Sequence, residues 1–191
     1  MVDWRTLFFK YRSFTPIPVI VAALIGAETT PVSYISGLFL LFSGEALRIW
    51  SVRYAGSATR TTGQVGADEL VTNGPFGHVR NPLYIGNFLL SLGILIAAWP
   101  WMPWFGLGFV LLYALQYGSI VSLEEQFLRE KFTGIYRAYR AGVPRWIPRW
   151  RSWGRGDRSP TSLASALRTE KNTLQSEVAV VLLLTLRWLL S

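Results

Sequence analysis

The amino-acid sequence predicts an all-α integral membrane protein. Of its 191 residues, 51% are hydrophobic, which is more than most soluble domains of this size contain. Four apolar segments follow one another, and the lysines and arginines collect in alternate connections between them. We therefore predict four core transmembrane helices in two hairpins, followed by a basic C-terminal region and a fifth, C-terminal apolar helix.

The four apolar segments are separated by two tight breaks and one long connection. The breaks at 28–31 and 99–103 are too short to hold another element. A spanning helix needs about 20 residues. The fourth apolar segment is predicted to continue as a helix beyond the membrane. The segments are about Pro16–Ala27, Val32–Trp50, Pro82–Ala98 and Trp104–Val121.

The positive charges predict which connections face the cytoplasm. Neither tight break contains Lys or Arg, whereas the N-terminus, the 48–81 connection and residues 129–171 are basic. Because basic loops stay on the cytoplasmic side, an even number of spans separates these three regions. The pattern suits a bacterial inner membrane or an endoplasmic reticulum membrane equally.

Composition also excludes several kinds of chemistry. The absence of cysteine excludes disulfides and thiolate sites, and a single histidine argues against a histidine-rich metal site, so we predict no metal. The net charge of +8 follows the apolar segments. We interpret it as topology and lipid head-group charge, with membrane lipids rather than nucleic acid as partners.

The C-terminal 38 residues differ in character from residues 1–153, which we treat as the membrane domain. A linker (154–160) and a polar helical stretch (161–177) precede Val178–Leu190, which is strongly apolar but only about 13 residues long. This length favours an interfacial, tilted or partner-packed helix over a full span. Homo-oligomerisation through this helix is therefore left open.

The stretch Gly74–Asn87 (GPFGHVRNPLYIGN) combines a turn, a polar dipeptide and the start of an apolar helix. Pro82 suits the first helical position, where its missing N–H costs no hydrogen bond. Arg80 and Asn81 are thereby placed at the N-terminal end of a membrane helix. An arginine there is either an interfacial anchor or part of a functional site.

A second informative stretch, Glu124–Pro148, begins with two glutamates directly after an apolar span. Carboxylates at this depth are costly and usually have a purpose. A purely structural pairing with Arg129 or Arg80 is the alternative. The aromatic residues that follow recur at helical spacing, with basic residues between them, as in an amphipathic helix on anionic head groups.

Together these stretches resemble the isoprenylcysteine carboxyl methyltransferase family, which is similar to the phospholipid N-methyltransferases. The resemblance covers about residues 70–150 and rests on Arg80-Asn81-Pro82-x-Tyr84-x-Gly86, then Glu124-Glu125, then Phe132, Tyr136, Tyr139, Val143, Arg145 and Pro148. It implies a small helical membrane enzyme whose C-terminal cytosolic part encloses S-adenosylmethionine. A lipophilic acceptor would then reach the sulfonium from the bilayer.

The resemblance also implies roles for individual residues. The predicted catalytic residues are Arg80, Asn81 and Glu125. The predicted cofactor-binding residues are His78, Arg80, Tyr84, Glu124, Glu125, Tyr136 and Arg145. Asn81 departs from the family pattern, which usually has histidine there, and this puts the substrate in doubt more than the cofactor.

The acceptor predicted first is an isoprenoid or prenylcysteine carboxylate, with a phospholipid amine as the alternative. Two other functions remain: an NADPH-dependent sterol or enone reductase of similar architecture, and a non-catalytic lipid-binding scaffold. The Gly/Thr-rich stretch Gly56–Gly66 has no phosphate-loop spacing and is predicted to be a flexible connector.

Overall fold

The structure, a computed structural model, describes residues 4–56, 69–154, 156 and 158–191, and these residues form helices without any strand. The all-α prediction is therefore confirmed. Apart from Gly56, the predicted connector at 56–66 lies outside the described residues. The helices are α1 (Trp4–Tyr11), α2 (Pro16–Ile25), α3 (Pro31–Ala55), α4 (Pro82–Ala98), α5 (Trp104–Lys131), α6 (Thr133–Gly142) and α7 (Leu163–Leu190), with a 3₁₀ turn at Gly74–Gly77.

Three helices, α3, α5 and α7, are long and apolar enough to cross a membrane. The helices α1 and α2 qualify together as a broken span bent by 58°. The remaining apolar helix, α4, has 17 residues. The predicted segments thus correspond to α2, α3, α4 and α5, and the predicted helical extension of the fourth segment runs to Lys131.

Local signals set the tight breaks. Thr30 and Ser33 form a reciprocal capping box at the start of α3, in which Thr30 Oγ1 accepts from the Ser33 N–H at 3.1 Å. Pro31 and Pro82 occupy the first turns of α3 and α4. At the other end of α4, Trp99 adopts a left-handed conformation with φ of 53° and ends the helix.

The most extensive helix contact is between α3 and α4, which come from different predicted hairpins. Glycines spaced seven residues apart on each helix let the two backbones meet. A Cβ atom on Gly37 would lie 2.4 Å from the Ala97 nitrogen, and one on Gly93 would lie 2.6 Å from the Leu41 nitrogen. Small residues allow such close approach between membrane helices.

The C-terminal helix is longer than the sequence suggested. The apolar segment 178–190 is the second half of the 28-residue α7, which packs on α3 and α2 of the same chain. Ser162 caps the start of this helix, and its polar first half is tied to α3 through the ion pair between Arg48 and Glu170. The apolar segment is therefore part of a longer helix than expected, while an interfacial or tilted placement and packing on a partner subunit stay predictions.

Two short segments outside the apolar helices are held side by side. The Arg80 N–H donates to the Pro144 carbonyl at 2.9 Å, the Arg149 N–H to the His78 carbonyl at 3.0 Å, and the Trp153 N–H to the Gly77 carbonyl at 2.9 Å. Residues 77–80 and 144–153 therefore form one unit, which joins the start of α4 to the chain that follows α6.

Candidate active site

Glu125 is the centre of a buried charge cluster at the polar end of α5. Its carboxylate accepts from Arg80 Nε at 3.1 Å and from Arg145 Nε and Nη2 at 3.1 and 2.6 Å. Only 4% of Glu125 is exposed. The hydrogen bonds that Arg145 donates to the Glu125 carboxylate raise the pKa of Arg145. The pairing with Arg80, considered from sequence, is therefore present, and Arg145 is a second partner.

Backbone carbonyls fix the orientation of Arg80. Its Nη1 donates to the carbonyls of Val143 at 2.8 Å and Arg140 at 3.1 Å, at the end of α6. Asn81 Nδ2 donates to the Arg145 carbonyl at 3.2 Å. The Arg80 guanidinium thus connects the start of α4, the end of α5 and the end of α6. Its N–H donors belong to one rigid planar group.

Glu124 faces α4 rather than the arginines. Its Oε1 accepts from the Tyr84 hydroxyl at 2.6 Å. Tyr113 in turn donates to the Tyr84 carbonyl at 2.6 Å, and the Tyr84 and Tyr117 rings lie 5.1 Å apart. The two consecutive glutamates therefore serve different faces of α5, and Glu124 is surrounded by aromatic rings.

Tyr136 and Tyr139 project from α6 beside the charge cluster. The Tyr139 hydroxyl donates to the Phe76 carbonyl at 2.7 Å. The Tyr136 hydroxyl is buried and has no hydrogen-bond partner among the described residues. Burial, with a smaller effect of the Glu125 carboxylate, raises the pKa of Tyr136 to about 12, so the phenol is neutral at physiological pH. Such an orphaned buried donor is uncommon in proteins.

A cavity of about 870 Å³ extends from these groups to the apolar residues of α4 and α7. Its polar end is lined by Arg80, Glu124, Glu125 and Tyr136. From there it follows α4 past Tyr84 and Asn87, and its far end is apolar, lined by Leu90, Ile94 and Val180.

Sequence reasoning missed a second charge cluster on this cavity. Arg48 of α3 hydrogen-bonds Asn87 of α4 and forms an ion pair with Glu170 of α7. Glu45 and Glu177 lie beside them. The glutamates on α7 belong to no recognisable sequence motif. For Glu45 and Arg48, the only usable signal was the presence of charged residues within an apolar segment.

The predicted site residues do not all face the cavity. Arg80, Asn81, Tyr84, Glu124, Glu125 and Tyr136 line it. His78 does not, and its Nδ1 is hydrogen-bonded to the Arg149 carbonyl at 2.9 Å. Arg145 lies behind Glu125 and is also absent from the cavity wall. These two residues support the site from outside, and the catalytic and binding roles stay predictions. No group of residues suited to a metal ion occurs within the described ranges.

The chain was compared with known proteins. Residues 32–134, more than half of the chain, match the family described as phospholipid methyltransferase. No curated protein and no solved structure shows a significant match. The matched segment runs from the start of α3 to the beginning of α6, and so includes α4, α5, Arg80 and both glutamates. The chain therefore belongs to the phospholipid methyltransferase family, and its described residues form an all-helical architecture compatible with a membrane protein.

Proposed function

We propose that this protein transfers a methyl group from S-adenosylmethionine to a lipophilic acceptor that enters from the bilayer. The observation that carries the proposal is the cavity along α4, which is charged at one end and apolar at the other. A polar donor and a lipid acceptor meet most readily in a cavity of that polarity. The charged loops at its polar end would face the cytoplasm, as the distribution of arginines suggests.

The residues at the polar end fit S-adenosylmethionine. The Tyr136 hydroxyl has no partner among the described residues and lines the cavity, so it is free to bond a ligand. Glu124 and Glu125 offer acceptors for the ammonium group or the ribose hydroxyls, and Arg80 offers donors for a carboxylate. The rings of Tyr84 and Tyr136 suit an adenine or a cationic sulfonium. When bound, the cofactor would supply an electrophilic methyl group.

The arginines prepare this end of the cavity for binding. Arg80 and Arg145 hold the Glu125 carboxylate in one orientation with three hydrogen bonds of 2.6–3.1 Å. Arg80 Nη2 adds an ion-pair contact of 3.0 Å. A group fixed in this way loses little conformational entropy when it meets its ligand. Because α4, α5 and α6 all contribute side chains to this end of the cavity, a bound cofactor would displace water from it.

The observations support a particular methyl donor more strongly than a particular methyl acceptor. A carboxylate acceptor, predicted first from sequence, remains a prediction. A phospholipid amine agrees with the description of the matched family at least as well. A nicotinamide-dependent reductase remains the alternative for the cofactor, and a scaffold predicts that no nucleotide-type ligand binds.

The deciding experiment is a calorimetric titration of detergent-purified protein with S-adenosylhomocysteine and, separately, NADPH. We expect saturable binding of S-adenosylhomocysteine only. Tyr136→Phe should weaken it about tenfold, the loss of one hydrogen bond, whereas Tyr11→Phe, on an exposed face of α1, should leave it unchanged. Binding of NADPH alone would favour the reductase, and binding of neither ligand would favour the scaffold.

A further inference from the structure

The segment that follows α6 exposes two large apolar side chains. Ile147 and Trp150 are 80% and 99% exposed, although they lie outside the apolar helices. Contact between such side chains and water is unfavourable, and a tryptophan presents an especially large apolar surface. The part of the chain that the structure describes does not cover either side chain, so a surface outside the chain is the candidate for doing so.

Hydrogen bonds hold the backbone between these two side chains. The Arg149 N–H donates to the His78 carbonyl at 3.0 Å, and His78 Nδ1 is bonded to the Arg149 carbonyl at 2.9 Å. Pro148 restricts the backbone further, because its ring fixes φ and limits the residue before it. Turning the two apolar side chains inward would break these hydrogen bonds.

The contact between Arg145 and Glu125 indicates how deep the segment lies in the membrane. α5 begins at Trp104, which is 78% exposed and follows a tight break, and tryptophan is typical of a membrane interface. Glu125 lies about 32 Å further along this helix, and the hydrocarbon core of a bilayer is about 30 Å thick. Glu125 is thus at the opposite boundary of the core. Arg145 Nη2 donates to Glu125 Oε2 at 2.6 Å, so the segment that carries Arg145 lies at this boundary too.

The composition of the segment suits a lipid interface. Residues 144–153 contain three arginines, three tryptophans and no acidic residue. Indole rings with their N–H favour the boundary between an apolar and a wet region, and arginines are attracted to lipid phosphates. At this depth lipid surrounds the protein, which favours the bilayer over a second protein as the surface that covers Ile147 and Trp150.

We propose that Ile147 and Trp150 insert into the interfacial layer of the bilayer and that lipid thereby holds residues 144–153 in place. The segment carries Arg145, which orients the Glu125 carboxylate, and it lies outside the residues that match the family. The lipid surface is therefore part of what keeps the charged end of the cavity assembled. The inference concerns the placement of this segment and does not depend on which ligand the cavity binds.

The test uses the absence of cysteine, which lets one introduced cysteine carry a fluorophore at a single position. Full-length Trp150→Cys is labelled with nitrobenzoxadiazole and reconstituted into liposomes of phosphatidylcholine and phosphatidylglycerol. Quenching by a lipid with a nitroxide near the head-group end of its acyl chain is compared with quenching by iodide in the water. The controls are two exposed positions, Leu111→Cys in the apolar part of α5 and Lys171→Cys in the polar half of α7.

We expect the label at position 150 to behave as the label in Leu111→Cys does. The lipid nitroxide should remove most of the fluorescence at both positions, whereas iodide should remove most of it only in Lys171→Cys. The label in Lys171→Cys also shows whether the fluorophore itself drives insertion.

A second measurement leaves the segment unlabelled. The double variant Ile147→Ser with Trp150→Ser removes both apolar groups. In the same liposomes, hydrogen exchange of the amides that bond residues 77–78, those of Arg149 and Trp153, should become at least about tenfold faster, because lipid no longer opposes local opening. Leu189→Ser with Leu190→Ser removes two exposed apolar groups from the end of α7 and should leave this exchange unchanged.

Each outcome supports or overturns the inference. Iodide quenching at position 150 equal to that in Lys171→Cys would place the segment in water and overturn it. Protection from both quenchers would mean that a second copy of the chain or another protein covers Trp150, which would overturn it as well. Unchanged exchange in the double variant would refute the holding role of lipid. Both side chains are exposed, so neither variant removes a core contact. Failure of S-adenosylhomocysteine binding would instead refute the proposed function and leave these measurements unaffected.

Discussion

The contact between α3 and α4 gives a stability prediction with a control inside the same chain. A Cβ atom at Gly37 would meet the Ala97 nitrogen at 2.4 Å and the Gly93 carbonyl oxygen at 2.5 Å. Ordinary van der Waals contact begins near 3.4 Å, so Gly37→Ala must move the helices apart by about 1 Å. Backbone atoms cannot rotate away as a flexible side chain would.

Two opposing free-energy contributions determine the expected change in stability of Gly37→Ala. Overpacking of this kind costs about 1–3 kcal/mol, and replacing a helical glycine with alanine returns about 1 kcal/mol through helix propensity. We therefore expect Gly37→Ala to destabilise the protein by up to about 2 kcal/mol. At Gly118, in α5, a Cβ atom would meet nothing within 4 Å. Gly118→Ala should consequently be neutral or stabilising.

The measurement is the unfolding of both variants and the wild type in mixed micelles of maltoside and dodecyl sulfate. Because α4 carries Arg80 and Tyr84 at its polar end, Gly37→Ala should also weaken S-adenosylhomocysteine binding, whereas Gly118→Ala should not. Equal stability of Gly37→Ala and Gly118→Ala would refute the close approach of the two helices.

Two further predictions concern the Glu125 cluster. Glu125→Gln should abolish S-adenosylhomocysteine binding and also lower the free energy of unfolding by about 3 kcal/mol, because Arg80 would remain buried without its counter-charge. Glu130→Gln is the matched control. Unaltered binding in Glu125→Gln would contradict the assignment. Arg145→Lys keeps the positive charge but cannot donate to both carboxylate oxygens. Arg145→Lys should therefore reduce turnover in a methyl-transfer assay, and in an unfolding assay it should lower stability less than Glu125→Gln does. The control Arg137→Lys, on an exposed face of α6, should leave turnover and stability unchanged.

The parts of the fold that could be predicted from sequence depend on local signals. Pro82 and Trp104 begin helices where proline and hydropathy place their starts. The proximity of Arg80 to Glu125 followed from both residues lying at the same end of neighbouring spans, and the structure joins them with a hydrogen bond of 3.1 Å. These features require only the helix period and the length of a span.

The features that could not be predicted depend on pairs that are distant in the chain. A search for apolar stretches detects only the last half of α7, because Glu170 and Glu177 read as surface residues until Arg48, 122 positions before Glu170, is brought beside them. The same holds for the contact of Arg145, which donates to Glu125 from 20 positions further along the chain. The seven-residue spacing of Gly37 with Gly44 and of Gly86 with Gly93 was a usable signal for helix contact, but it does not identify which helices meet.

The lengths of α4 and α5 have a consequence for the position of the chain that precedes α4. The two helices start from the same tight turn, yet α4 has 17 residues and α5 has 28, so α4 ends about 17 Å short of α5 at the polar end. No residue of α4 is exposed, so the short helix is matched to its protein neighbours rather than to the thickness of the bilayer. The space beyond Pro82, alongside the last turns of α5, is therefore occupied by residues 77–80 and 144–153, and this brings Arg80 and Arg145 beside Glu125 instead of beyond the end of α5.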